Sequence, residues 1–124
     1  MGTNNKILLI DDEQELVFVT QMSLEAHGYK IITAYDGEAG LSSAQNNLPD
    51  LILLDVMMPK MNGYEVCQKL KADDKTRHIP VIILSAKTQD EDMANGKNAG
   101  CDDYITKPFE LPDLMQKIEG FLVK

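Results

Sequence analysis

Three apolar runs, Ile7-Leu8-Leu9-Ile10, Leu51-Ile52-Leu53-Leu54 and Val81-Ile82-Ile83-Leu84, are continuous rather than alternating. A strand with one wet face alternates apolar and polar residues, so an unbroken run needs cover on both faces. Helix-length segments separate these runs from one another and from two others, 31–35 and about 103–106. Short strand–helix spacing of this kind predicts an α/β sandwich: a five-stranded parallel sheet, right-handed crossovers and helices on both faces. The run Ile31-Ile32-Thr33-Ala34-Tyr35 is more mixed and suits an edge strand. At 124 residues the chain reads as one domain over 1–124, with 1–5 as a flexible N-terminus. That length buries roughly two-thirds of the unfolded surface.

The helices have readable ends. The first, about 13–27, stops at Gly28, with His27 in its last turn where a cation suits the dipole. The second follows Asp36-Gly37 and ends before Pro49. The third starts near Gly63 and places Val66, Cys67 and Leu70 on one face. The fourth carries a Thr88-x-x-Glu91 capping box but has a weak interior around Asn95-Gly96. The fifth, from about Pro112, presents Leu111, Leu114, Met115, Ile118 and Leu122 at helical spacing.

Bulk chemistry narrows the function classes. With 44% apolar and 26% charged residues, the composition is that of an ordinary globule. A net charge of −8 and the lack of a basic stripe argue against nucleic acid as a direct partner. No apolar run is long enough for a membrane span or a signal-peptide core. Cys67 and Cys101 have no partnering pattern and read as unpaired thiols in a reducing cytoplasm. His27 and His78 lack a second ligand at metal spacing.

The strand ends carry the chemistry. Asp11-Asp12 follow the first strand, Asp55 ends the third, Ser85 ends the fourth and Lys107-Pro108 follow the fifth. Polar groups at the carboxyl ends of parallel strands form one pocket. Each acid alone could be a helix cap. Together they repel, by roughly 4 kcal/mol for a pair about 4 Å apart at an effective dielectric near 20. Lys107 supplies one positive charge, and a hard divalent ion such as Mg²⁺, with Mn²⁺ as a substitute, is the natural second. Asp55 is followed by Val56-Met57-Met58-Pro59-Lys60-Met61-Asn62-Gly63, in which Pro59 ends the strand and Gly63 permits the turn into the third helix. A carboxylate so placed can be a nucleophile toward a phosphoryl group or a third metal ligand. Spacing alone leaves both open.

These residues lie within a pattern that resembles the response-regulator receiver domain, the CheY-like family, over essentially the whole chain. The matching pieces are ILLIDDE (7–13), LILLDVMMPKMNG (51–63), PVIILSA (80–86) and AGCDDYITKPF (99–109), in family order. The resemblance implies a doubly wound, flavodoxin-like three-layer fold and a phosphorylation-activated switch of a two-component system rather than an enzyme. By position, Asp55 would take a phosphoryl group from a sensor histidine kinase or phosphotransfer protein. Asp12 would bind Mg²⁺ directly, Asp11 mainly through water, and the Met57 carbonyl would complete the protein ligands alongside Asp55. Lys107 would hold the phosphoryl group, and the Lys107–Pro108 peptide would be cis. Ser85 and Tyr104 match the family's switch pair. They would bias a surface built from the fourth helix, the fifth strand and the fifth helix toward a downstream protein or output domain.

Met57 and Lys87 occupy positions that tune phosphoryl lifetime in the family. Two competing classes remain. A haloacid-dehalogenase-type phosphatase would want an acid where Met57 stands, and a plain binding module would not need the full acid–hydroxyl–lysine set. The lack of a linker or output segment favours a stand-alone receiver over one excised from a longer regulator. The expected state is a monomer or a weak phosphorylation-linked dimer.

Overall fold

The computed structural model describes residues 5–56, 58, 61–85 and 100–122. Along the chain these form β1 (Lys6–Ile10), α1 (Gln14–Ala26), β2 (Lys30–Ala34), α2 (Gly37–Asn47), β3 (Leu51–Asp55), α3 (Gly63–Ala72), β4 (Val81–Ser85), β5 (Asp103–Thr106) and α4 (Leu111–Leu122). The helix expected from Thr88 lies outside the described residues, so α4 is the fifth helix of the sequence reading. The Met57 and Lys87 positions also lie outside them.

The strands pair in the order β2-β1-β3-β4-β5, all parallel. β2 is an edge, as its mixed sequence implies. The continuous apolar runs divide residue by residue between two faces, because successive side chains in a strand point opposite ways. Leu8, Ile10, Ile52, Leu54, Val81 and Ile83 pack on one side with Ala44 of α2 and Val66, Cys67 and Leu70 of α3. Ile7, Leu9, Leu51, Leu53, Ile82 and Leu84 pack on the other with Val17 and Leu24 of α1 and Leu114, Met115 and Ile118 of α4. Each buried Leu or Ile contributes about 1.5–3 kcal/mol relative to exposure. This double-sided burial is what holds the strand ends in register.

The helix termini differ from expectation by a residue. Glu13 is the extended N-cap of α1, outside the helix, and His27 is its C-cap, with Nδ1–H donating to the Ser23 carbonyl at 2.8 Å. Gly28 follows at φ +95°, the left-handed turn that a Cβ would strain. Asn5 accepts the Lys30 N–H at 3.0 Å, extending the β1–β2 pairing outward. Cys67 and Cys101 are both free thiols. Burial is the main reason the Cys67 thiol is pushed up to about 12, which leaves it protonated and inert at neutral pH.

The approach to β5 is fixed by one ion pair. Lys71 of α3 meets Asp102 at 2.8 Å, and the same carboxylate accepts the Val81 N–H at 2.8 Å. Residue 102 is thereby tied to both α3 and β4, which sets the height at which β5 delivers Lys107.

Candidate functional site

Chain order places the site. β1 continues into α1 on one face of the sheet, whereas β3 continues into α3 on the other. Adjacent strands whose connections leave on opposite sides open a crevice at their carboxyl ends. Asp11 follows β1 and Asp55 ends β3, and both are buried, at 1% and 2% exposure. Asp12 stands beside them at the surface. Carboxylate oxygens from Asp11, Asp12 and Asp55 all lie within 4.8 Å of one another.

Lys107 enters from the loop after β5. Its backbone N–H donates to the Ser85 carbonyl, and its peptide bond to Pro108 is cis. The ammonium lies 3.0 Å from Asp11 Oδ2, 3.3 Å from Asp55 Oδ1 and 2.8 Å from Glu13 Oε1. Burial alone would lower the ammonium's proton affinity. The contacts with Glu13, Asp11 and Asp55 outweigh that and hold Lys107 above its ordinary range, so it stays charged. Ser85 is buried and ends β4, one register step past the Asp55–Leu84 pair. Tyr104 is half-buried in β5 and packs against the core cluster on the α2–α3 side.

Asp11 divides its oxygens. Oδ1 accepts the Glu13 N–H at 3.0 Å, shaping the turn into α1, whereas Oδ2 has no hydrogen-bond donor. Oδ2 lies 3.0 Å from the Lys107 ammonium, which meets it as an ion pair. A buried, charged oxygen without a donor is costly unless a cation completes it. Among the described residues, four carboxylates (Asp11, Asp12, Glu13 and Asp55) gather around one ammonium, that of Lys107. An all-oxygen donor set with excess negative charge fits a hard divalent cation.

The structure therefore gathers Asp11, Asp12, Asp55 and Lys107 into one crevice, with Ser85 at the neighbouring strand end. Glu13 is an addition. In sequence it looks like the first residue of a helix, and its partner Lys107 lies 94 positions away. The one available signal is that Glu is not among the residues preferred at a helix N-cap.

The family model of the response regulator receiver domain matches residues 7–119. The chain is a response regulator receiver domain. Among curated relatives it is 43% identical over 119 residues to the alkaline phosphatase synthesis transcriptional regulatory protein PhoP of Bacillus subtilis, covering 96% of this chain and 49% of that protein. It is 40% identical over 117 residues to the DNA-binding regulator RpaA of Synechocystis, covering 94% of this chain and 48% of RpaA. This receiver domain thus spans about half the length of those relatives. Among solved structures, the chemotaxis protein CheY4 of Vibrio cholerae superposes with a TM-score of 0.92 at 29% identity, covering 97% of this chain and all of that one. The N-terminal domain of a response regulator receiver protein from Methanoculleus marisnigri is 39% identical with a TM-score of 0.78, covering 98% of this chain and 99% of that one.

Proposed function

We propose that Asp55 is the phosphoryl acceptor of this receiver domain. A carboxylate oxygen of Asp55 attacks phosphorus, the bond from phosphorus to the donor's imidazole nitrogen breaks, and the imidazole leaves. The product is an acyl phosphate on Asp55. The observation that carries this reading is the position of Asp55. It is a buried carboxylate at the end of β3, 3.3 Å from the Lys107 ammonium and beside two further acids.

Each neighbour has a role. Lys107 neutralises the oxygens of the arriving group, which is most of what phosphoryl transfer asks of a protein. Asp11, Asp12, Asp55 and the Met57 carbonyl would hold Mg²⁺, with Mn²⁺ as a substitute. When bound, the ion offsets charge on the phosphoryl oxygens. Ser85 donates its hydroxyl to a phosphoryl oxygen, and Tyr104 follows it inward. The phosphoryl group adds up to about two negative charges at this point. That charge biases the surface around β5 and α4, where a cavity of about 840 Å³ is lined by Tyr104, Phe109, Lys117 and Phe121.

The donor in this reading is a phosphohistidine of a sensor kinase or phosphotransfer protein in the cytoplasm. No helix among the described residues is long and apolar enough to cross a membrane. The target is a downstream protein or an output domain. PhoP and RpaA are transcriptional regulators by name. A DNA-binding partner for this acidic receiver would therefore do the nucleic-acid work.

Incubation with Mg²⁺ and acetyl phosphate, followed by intact mass measurement, tests the proposal. The expected result is one phosphoryl group per chain, absent in Asp55→Asn and absent with EDTA. Multiple turnover of the donor without a stable adduct would point to a phosphatase. An adduct that persists in Asp55→Asn would move the acceptor elsewhere.

A further inference from the structure

Glu13 makes the shortest contact to the Lys107 ammonium, 2.8 Å, against 3.0 Å to Asp11 and 3.3 Å to Asp55. The two partners differ sharply in freedom. The Lys107 side chain is 11% exposed, whereas that of Glu13 is 62% exposed. Glu13 also occupies the N-cap of α1 without making a side-chain cap hydrogen bond. Ser, Thr, Asp or Asn there would satisfy one of the helix's open N–H groups. A helix start that forgoes its cap while its side chain reaches across to another strand end departs from the local rule, and such departures gather at functional sites. Asp11 supports the departure, because its Oδ1 takes the Glu13 N–H and fixes where that side chain begins.

We propose that Glu13 is a positioning residue that holds Lys107 in the unphosphorylated state and yields it to the incoming phosphoryl group. The idea rests on Asp55 being the acceptor and adds a competitor to that reaction. Asp11 and Asp55 are buried and cannot withdraw from Lys107 without moving a strand end. Glu13 can rotate into water at little cost. The exchange of a mobile carboxylate for a phosphoryl oxygen leaves the ammonium paired throughout. Glu13 thereby keeps Lys107 ordered and aimed at rest, and sets how readily the acceptor site opens to an anion.

Two measurements on Glu13→Gln test this, with Glu15→Gln in the first turn of α1 as a control for net charge. The first needs no phosphodonor. The ¹⁵N-ammonium resonance of Lys107 should be protected in the parent protein and should shift and exchange faster with water in Glu13→Gln, but not in Glu15→Gln. The second is the rate of phosphorylation by acetyl phosphate. Freeing Lys107 from a half-exposed ion pair should raise that rate by about two- to fivefold, the range such pairs span. The gain should appear in the half-saturating donor concentration more than in the maximal rate. An unchanged Lys107 resonance overturns the proposal, as does an equal rate increase in Glu15→Gln or a slower reaction in Glu13→Gln. A parent protein that takes up no phosphoryl group removes the Asp55 reading, and this proposal falls with it.

Discussion

Among the described residues, Lys107 is the single cation contacting a group of four carboxylates, and this imbalance frames what the site can do. An ammonium shared among Asp11, Glu13 and Asp55 cannot fully neutralise any one of them. On the proposed function, donation to an arriving phosphoryl group would come from a rearrangement of partners. The lifetime of the proposed acyl phosphate would depend on whether a side chain can orient an attacking water. Met57, two residues after Asp55, is apolar and offers no such group. Loss of one water-orienting group costs about tenfold or more, which puts self-dephosphorylation on the order of minutes or longer. Met57→Asn should shorten the phosphoryl lifetime, followed by mass or by loss of radiolabel. An equal or longer lifetime would show that water access is set elsewhere.

At the scale of elements, the start of α3 packs against the end of β3, which carries the proposed acceptor Asp55. Asn62 accepts the Glu65 N–H at 3.0 Å, and Glu65 accepts the Asn62 N–H at 3.1 Å, a complete capping box. Gly63 sits against the end of β3. A Cβ there would meet the Asp55 carbonyl oxygen and lie 2.8 Å from Val56 Cα. Both are backbone atoms and cannot rotate away. Gly63 is therefore required by close approach, since its backbone is not in the left-handed region. Gly63→Ala should cost about 1–3 kcal/mol and, by displacing Asp55, slow phosphorylation as well. Asn62→Ala should cost about 1 kcal/mol of stability by denaturant titration but leave the phosphorylation rate intact. A shared loss of rate in both variants would mean that α3 stability, rather than the Gly63 contact, positions Asp55.

These same elements mark what the sequence could reveal. The continuous runs imply two-sided burial, and strand ends bearing Asp11, Asp55, Ser85 and Lys107 imply a common pocket, because parallel strands share one carboxyl edge. The Asn62-x-x-Glu65 box is equally a local pattern, written in the residues on either side of Gly63. The Glu13–Lys107 pair is different in kind. Its geometry depends on how far β5 reaches past β4, which the Lys71–Asp102 tie sets across three elements. Nothing local encodes that. The close approach behind Gly63 is likewise a distance between chain segments, invisible until the sheet is assembled.

For the whole molecule, the proposed cation site makes the acid cluster a stability cost that a bound ion would offset. Asp11 Oδ2 is buried without a hydrogen-bond donor, and Asp12 adds a like charge within 4.8 Å. A cation that binds only the folded chain stabilises it by mass action, about 2.7 kcal/mol at a hundred times its dissociation constant. For a chain of this size that should raise Tm by about 8–10 °C. The net charge of −8 makes the control essential, because any salt relieves general repulsion. NaCl at matched ionic strength should reproduce only a small part of the Mg²⁺ shift, and EDTA should reverse the rest. Asp12→Ala should separate the two effects. Without Mg²⁺ its Tm should equal or exceed that of the parent, since one repelling charge is gone and no buried contact is lost. With Mg²⁺ its gain should shrink toward the NaCl value. A variant that loses stability without metal, or keeps the full Mg²⁺ response, would mean that Asp12 supports the fold rather than the ion.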